Sequence, residues 1–460
     1  MSNENIQQNI FKAYDIRGIV DVDLTADIVY KIGQSIGSEA LTQNQKKICV
    51  GFDGRLSSPK LNKNLTQGLL STGIDVINIG LVTTPILYFS TYHLNTRSGI
   101  MITGSHNPPQ YNGFKIVINE KTLSSNDIQT LYQRIINQKF LSGNGCLSSK
   151  NIINSYLEKI KSSINLKRPM KIAIDCGNGA AGICAVELFE SLNVKVEGLF
   201  CEVDGTFPNH HPDPSNPDNL KDLQLTLSQS DSELGLAFDG DGDRLGVVTK
   251  KGEIIFPDRQ LLLFADAVLK EQPNTSIIFD VKSTRHLFDW IKSRGGNPVI
   301  WKTGHSFIKA KMKEIKASLA GEMSGHIFFN DRWYGFDDGL YAGARLLEIL
   351  SYFDDPSSIL EALPKGFSTP ELNIKLEEGQ QHQLIKKIQA EAQFEDAIDI
   401  IKIDGVRVEF KHGFGLMRAS NTTPVIVLRF EADSEKYLTK IQDQFRTILK
   451  KYLNEDQITF

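Results

Sequence analysis

The sequence predicts an α/β protein of three similar domains followed by a C-terminal α+β unit. One observation is an internal repeat of apolar strand, Asp, amphipathic helix and second strand. Ile48-Cys49-Val50-Gly51-Phe52 leads to Asp53, a helix over about 61–71 and a strand over 75–80. Lys171-Ile172-Ala173-Ile174 leads to Asp175, a helix over 185–192 and a strand over 194–196. Ser276-Ile277-Ile278-Phe279 leads to Asp280, a helix over 287–293 and a strand over 298–301. Each is a βαβ pattern, which builds largely parallel sheets covered by helices. The spacing between copies exceeds the 20–50 residues of a solenoid, so the copies read as separate domains. The other observation is the tail. It reads as strands over 372–376, 400–403, 407–410 and 425–430, with helices over 381–393 and 434–452.

The chain has 460 residues, and domains of roughly 100–200 residues give three or four of them. The expected boundaries are 1–150, 151–253, 254–365 and 366–460. They follow the Ser142-Gly143-Asn144-Gly145 tract, the Lys250-Lys251-Gly252 turn and Pro364-Lys365-Gly366. Ligands in such sheets sit at the C-terminal strand ends, where Asp53, Asp175 and Asp280 lie. Helix capping is the expected role of Asp53 and Asp175.

The net charge of −4 gives no general attraction to nucleic acid or anionic membrane. An anionic substrate would need its own Lys/Arg cluster. Five scattered cysteines without a CxxC pair speak against structural zinc and fit reduced thiols; Cys49 and Cys176 read as core. No basic and apolar leader opens the chain, and no apolar run approaches the ~20 residues of a membrane span. A cytoplasmic enzyme is expected.

Four motifs carry chemistry. Asp239-Gly240-Asp241-Gly242-Asp243-Arg244 follows an apolar strand. Carboxylates at spacing two, with Gly between them, can converge on a hard cation; the alternative, a solvated acidic turn, is costly for three crowded carboxylates without a cation. An EF-hand needs Gly at its sixth position and Glu at its twelfth, where Arg244 and Lys250 stand. Oxygen-only ligands point to Mg²⁺. Thr103-Gly104-Ser105-His106-Asn107-Pro108-Pro109 presents a Ser on a tight loop, readable as a turn or a nucleophile. The hydrolase elbow needs G-x-S-x-G, and neither Thr103 nor Asn107 is Gly, which weakens a serine-hydrolase reading. Gly321-Glu322-Met323-Ser324-Gly325-His326 offers a row of donors and acceptors suited to sugar hydroxyls, or a loop satisfied within itself. Arg418-Ala419-Ser420-Asn421-Thr422-Thr423 reads as an anion nest or as a turn before the next strand.

The four motifs in this order, with Lys12-Ala13-Tyr14-Asp15-Ile16-Arg17-Gly18 near the start, resemble the α-D-phosphohexomutase superfamily. The likeness is nearest to its bacterial phosphomannomutase/phosphoglucomutase group. It implies three similar α/β domains with mixed sheets plus a C-terminal α+β domain around a central cleft. It further implies an isomerase that interconverts hexose 1-phosphate and hexose 6-phosphate, of mannose, glucose or both. Ser105 would carry the phosphoryl group, and hexose 1,6-bisphosphate would be intermediate and activator. Mg²⁺ would be held by Ser105 as phosphoserine and by Asp239, Asp241 and Asp243. His106, Lys115, Arg244, Arg17 and Tyr14 match catalytic positions. Lys282, His305, Glu322, Ser324, His326, Arg418, Ser420, Asn421 and Thr422 match substrate-binding positions. The expected partner is a small phosphosugar, with no nucleic acid and no membrane, and the chain a monomer or weak dimer. Met323 resembles the glucose/mannose group; glucosamine-phosphate members more often carry Gln. A phosphoglucosamine mutase, a Mg²⁺-dependent sugar phosphatase and a non-enzymatic cation binder are the competing readings.

Overall fold

The computed structural model describes residues 6–421, 423–458 and 460. The three repeats share one strand path. In the first, strand Gly99–Ile102 pairs antiparallel with Tyr111–Ile118 and parallel with Lys47–Phe52, which pairs parallel with Asp75–Leu81. In the second, Leu234–Phe238 pairs antiparallel with Leu245–Thr249 and parallel with Met170–Asp175, followed by Val194–Leu199. In the third, Leu319–Gly321 pairs antiparallel with Ile327–Phe329 and parallel with Ser276–Asp280, followed by Asn297–Trp301. The sheets are therefore mixed. The antiparallel member is a strand returning through a short loop, the connection that an antiparallel pair permits and a parallel pair forbids.

Alternation along the strands explains why both faces of the first sheet are covered. Ile48 and Val50 enter one apolar cluster, with Ile100 and Ile102. Cys49 and Met101 point the other way into a second cluster. That second cluster continues through Ile172, Leu236, Phe279 and Leu319, so the three units share a continuous core. The helix Gly339–Leu350 follows the third sheet in sequence. Its Gly343 nevertheless faces Phe189 and Leu236 of the second.

The C-terminal unit is an antiparallel sheet in the order Phe367–Ser368, Val425–Ala432, Gly413–Ala419, Val406–Phe410, Ala397–Ile401, with Leu372–Lys375 also on Val425–Ala432. Helices Gln380–Glu391 and Glu435–Leu449 cover it. The strand Gly413–Ala419 escapes sequence reading because its glycines suggest a turn. Gly415 is required by packing: a Cβ there would stand 2.4 Å from Phe445 Cε2. The reading of Arg418 and Ala419 as loop is therefore corrected, since both end a strand.

Buried arginines fasten this unit to the third. Arg407 donates to the carbonyls of Val281 and Ser283 at 2.8 and 2.6 Å. Arg429 donates to the Lys282 carbonyl at 2.5 Å and to Asp258 at 3.0 Å. No helix among the described residues is long and apolar enough to cross a membrane.

Gly415→Val overpacks the seam against Phe445. It is expected to cost about 1–3 kcal/mol, read as a lower midpoint in urea unfolding. An unchanged midpoint would contradict the packing account.

Candidate active site

The same connection in each repeat carries a motif. The loop returning into the antiparallel strand is 103–110 in the first unit, 239–244 in the second and 322–326 in the third. Three chemically unlike motifs thus occupy equivalent positions at the C-terminal strand ends, where open α/β sheets bind ligands.

Ser105 is 2% exposed and has a φ of 49°, unusual for a residue with a side chain. Its strain is held by neighbours. Arg55 donates to the carbonyls of Ser105, Asn107, Pro108 and Tyr111 at 2.6, 2.5, 2.8 and 3.0 Å. Asp53 accepts from Thr103 Oγ1 and Gly104 N at 2.8 and 3.2 Å, and from Ser58 Oγ at 2.7 Å. The expectation that Asp53 only caps a helix is corrected: helix Ser58–Leu70 has Ser57 at its N-cap, and Asp53 braces the Ser105 loop. Asp175 likewise caps no helix. It accepts from Gly177 N at 2.8 Å and lies 2.9 Å from His210 Nε2. Both carboxylates are drawn to neighbouring loops that sequence spacing does not reveal.

Ser105 Oγ donates to Asp239 Oδ2 at 2.9 Å and lies 3.1 Å from His106 Nδ1. The loops of the first and second units meet here because residue 240 is Gly; a Cβ would stand 2.4 Å from the Ser105 carbonyl oxygen. Burial, then the charge of Arg244, holds His106 well below the ordinary histidine pKa. Arg17 donates to Asn107 Oδ1 at 2.6 Å and pairs with Asp15 at 2.5 Å.

Asp239, Asp241 and Asp243 are fully buried, with one oxygen of each within 4.8 Å of the others. Lys115, reaching in from the strand Tyr111–Ile118, donates to Asp241 at 2.7 Å and Asp243 at 2.5 Å. Burial opposes its charge, but those carboxylates raise its pKa above the ordinary lysine value. Asp239 Oδ1 accepts from the amides of Asp243 and Arg244 at 3.1 and 3.2 Å. Thr84 Oγ1 donates to Asp241 at 2.5 Å. Asp241 Oδ1 is buried with no hydrogen-bond partner among the described residues. A buried lone carboxylate oxygen amid an all-oxygen donor set fits a hard divalent cation.

In the third unit Glu322 Oε1 accepts from Gly304 N at 2.6 Å. His326 Nδ1 stands 3.0 Å from Ser324 Oγ and 3.2 Å from Glu322 Oε2, and its Nε2 3.2 Å from Asp243. Burial opposes charge on His326, but Asp243 and Glu322 push its pKa up to about 9. His305 meets Tyr14 edge-on, centroids 5.3 Å apart, so the first and third units touch. Burial pushes the Tyr14 phenol up to about 12.

From the fourth unit, Arg418 pairs with Asp404 at 3.0 Å, and Asp404 also accepts from Thr303 N at 3.0 Å. Lys282 donates to Glu371 at 2.5 Å. A cavity of about 830 Å³ gathers these groups. It is lined by Tyr14, Arg17, Ser105, His106, Lys115, Arg244, Lys282, His305, Glu322, Ser324, His326, Arg418, Ser420 and Asn421. Thr422 lies outside the described residues, and the three Asp of the cation site stand behind this wall. Arg55, Asp404, Glu371, Lys309 and Asp337 contact cleft residues, yet sequence reasoning assigns them no role, because only the fold gives each its partner.

The phosphoglucomutase/phosphomannomutase models match the chain throughout: α/β/α domain I at residues 8–142, domain II at 154–252, domain III at 256–367 and the C-terminal domain at 371–448. The chain belongs to the phosphoglucomutase/phosphomannomutase family. It is 56% identical over 453 residues to a phosphoglucomutase of Neisseria meningitidis, covering 98% of each chain. It is 53% identical over 443 residues to a phosphomannomutase/phosphoglucomutase of Pseudomonas aeruginosa, covering 96% of each. The crystal structure of a Burkholderia thailandensis protein of this family superposes with a TM-score of 0.93 at 51% identity, covering 97% of this chain and 98% of that one.

Arg55→Lys keeps the charge but loses the planar fork that holds four carbonyls. Loss of turnover on the order of 100-fold is expected from misplacing Ser105, with the far-UV circular dichroism unchanged. Wild-type turnover would contradict the bracing role.

Proposed function

We propose that the chain interconverts hexose 1-phosphates and hexose 6-phosphates, of glucose, mannose or both, with Ser105 as the phosphoryl carrier. The observation that carries this is the Ser105 hydroxyl against the Asp239–Asp243 cluster, in one cleft with Lys282 and Arg418 of other units. A mutase needs two phosphate sites and a grip on the sugar between them. Arg418, Ser420, Asn421 and Thr422 form the proposed site for the phosphate that does not react. Glu322, Ser324 and His326 form the proposed grip on the hydroxyls, with Lys282 and His305 beside them.

Phosphoryl transfer depends on alignment and charge neutralisation more than on covalent chemistry. Arg244 carries a charge that burial opposes and Asp239 and Asp213 sustain, so it lies ready to offset the transferring group. Lys115 serves the same end, and His106 exchanges a proton with the attacking or leaving oxygen. Arg17 holds Asn107 of the Ser105 loop and Tyr14 packs on His305 in the same cleft; both are assigned to supporting Ser105. Asp239, Asp241 and Asp243 would hold Mg²⁺, whose chemistry is to polarise the phosphoryl oxygens. In the proposed cycle phosphoserine 105 gives its phosphoryl group to the substrate, the hexose 1,6-bisphosphate turns over, and Ser105 takes back the other group.

Ser105→Ala is expected to abolish turnover while leaving hexose-phosphate affinity within about threefold, read by calorimetry. Retained turnover would contradict the role of Ser105. Comparison of kcat/KM for glucose 1-phosphate, mannose 1-phosphate and glucosamine 1-phosphate tests the sugar. Preference for the third would replace this reading with a phosphoglucosamine mutase, and stoichiometric release of inorganic phosphate would replace it with a phosphatase.

A further inference from the structure

Lys309 follows His305 by one turn on the helix His305–Ile315, so the two side chains meet on one face. Its ammonium is held on three sides. Nζ donates to Asp337 Oδ1 at 2.7 Å, lies 4.0 Å from the Tyr88 ring centroid, and stands 3.1 Å from His305 Nδ1. An ammonium has three donors and no acceptor. His305 Nδ1 must therefore accept, which puts the ring proton on Nε2. The competing partner for Nδ1 is Asp337 Oδ2, which would require a proton on Nδ1. That separation is 3.5 Å, and Asp337 Oδ2 makes no hydrogen bond among the described residues. A proton on Nδ1 would also point at the ammonium. Burial, then the Lys309 charge, keeps the His305 pKa well below the ordinary value, so the ring holds a single proton.

We propose that Lys309, anchored by Asp337, is a positioning residue that locks His305 in its Nε2–H tautomer and makes it a hydrogen-bond donor to the cleft. His305 lines the cavity, and its Nε2 has no hydrogen-bond partner among the described residues. The ligand atom it selects is an acceptor oxygen, of a phosphate or of a sugar hydroxyl through its lone pair. That choice of ligand rests on the proposed phosphosugar function; the tautomer does not.

The test is long-range ¹H–¹⁵N NMR of the full-length protein labelled with ¹⁵N-histidine, with His305 assigned by the signals lost in His305→Gln. Wild type is expected to show only the Nε2-protonated pattern. Lys309→Met removes the ammonium, and His305 is expected to swing to the Nδ1-protonated pattern facing Asp337. Its kcat/KM is expected to fall on the order of tenfold. Because Lys309→Met leaves Asp337 unpaired and could fail to fold, the double variant Lys309→Met/Asp337→Asn serves as the second probe, and there the exclusive Nε2–H pattern is expected to be lost. An Nδ1–H pattern in wild type overturns the proposal. So does an unchanged Nε2–H pattern in either folded variant. An Nε2–H pattern in a wild-type protein without mutase activity supports the tautomer and overturns the proposed function instead.

Discussion

Burying three carboxylates within 4.8 Å of one another is the constraint on which the rest of the site depends. Like charges at that distance repel strongly in a low dielectric, and each has lost its water. The protein meets this with groups from other units and from the loop's own backbone. Lys115 and Thr84 come from the first unit, His326 from the third, and the Asp243 and Arg244 amides from the acidic loop itself. The acidic cluster therefore acts as the joint of the molecule, and units one, two and three are assembled around it.

From that joint the reactive geometry follows. Ser105 reaches Asp239 only because Gly240 lets two loops touch and because Arg55 and Asp53 hold a strained turn in place. The duplicated strand path supplies the rest. Three copies of one loop converge, and their chemistry has diverged. The first presents a hydroxyl, the second gathers carboxylates, and the third presents Glu322, Ser324 and His326. Arg407 and Arg429 then dock the fourth unit so that Arg418 faces the same cavity.

Much of this is legible in the residues. Apolar strands followed by Asp mark the three repeats, because buried strands have to be apolar and helices amphipathic. Crowded chemistry marks the four loops, because carboxylates at spacing two have few structural uses. What escapes does so for physical reasons. The strand Gly413–Ala419 is hidden because Gly415 admits Phe445 while imitating a turn. Asp53 and Asp175 read as caps because a local partner is all that a sequence offers, whereas Thr103, Gly104 and His210, which draw them to other loops, lie tens of residues away. Arg55, Lys309 and Asp337 show no partner in the sequence, and folding alone makes them neighbours of the chemistry.

The central claim is that the phosphoryl group on Ser105 passes to the sugar and not to water. Enzyme carrying ³²P on Ser105, mixed with unlabelled hexose 1-phosphate and quenched within a turnover, tests it directly. The label should leave the protein and appear in hexose 1,6-bisphosphate and then hexose 6-phosphate. Label recovered as inorganic phosphate, or remaining on the protein while product forms, would contradict the account.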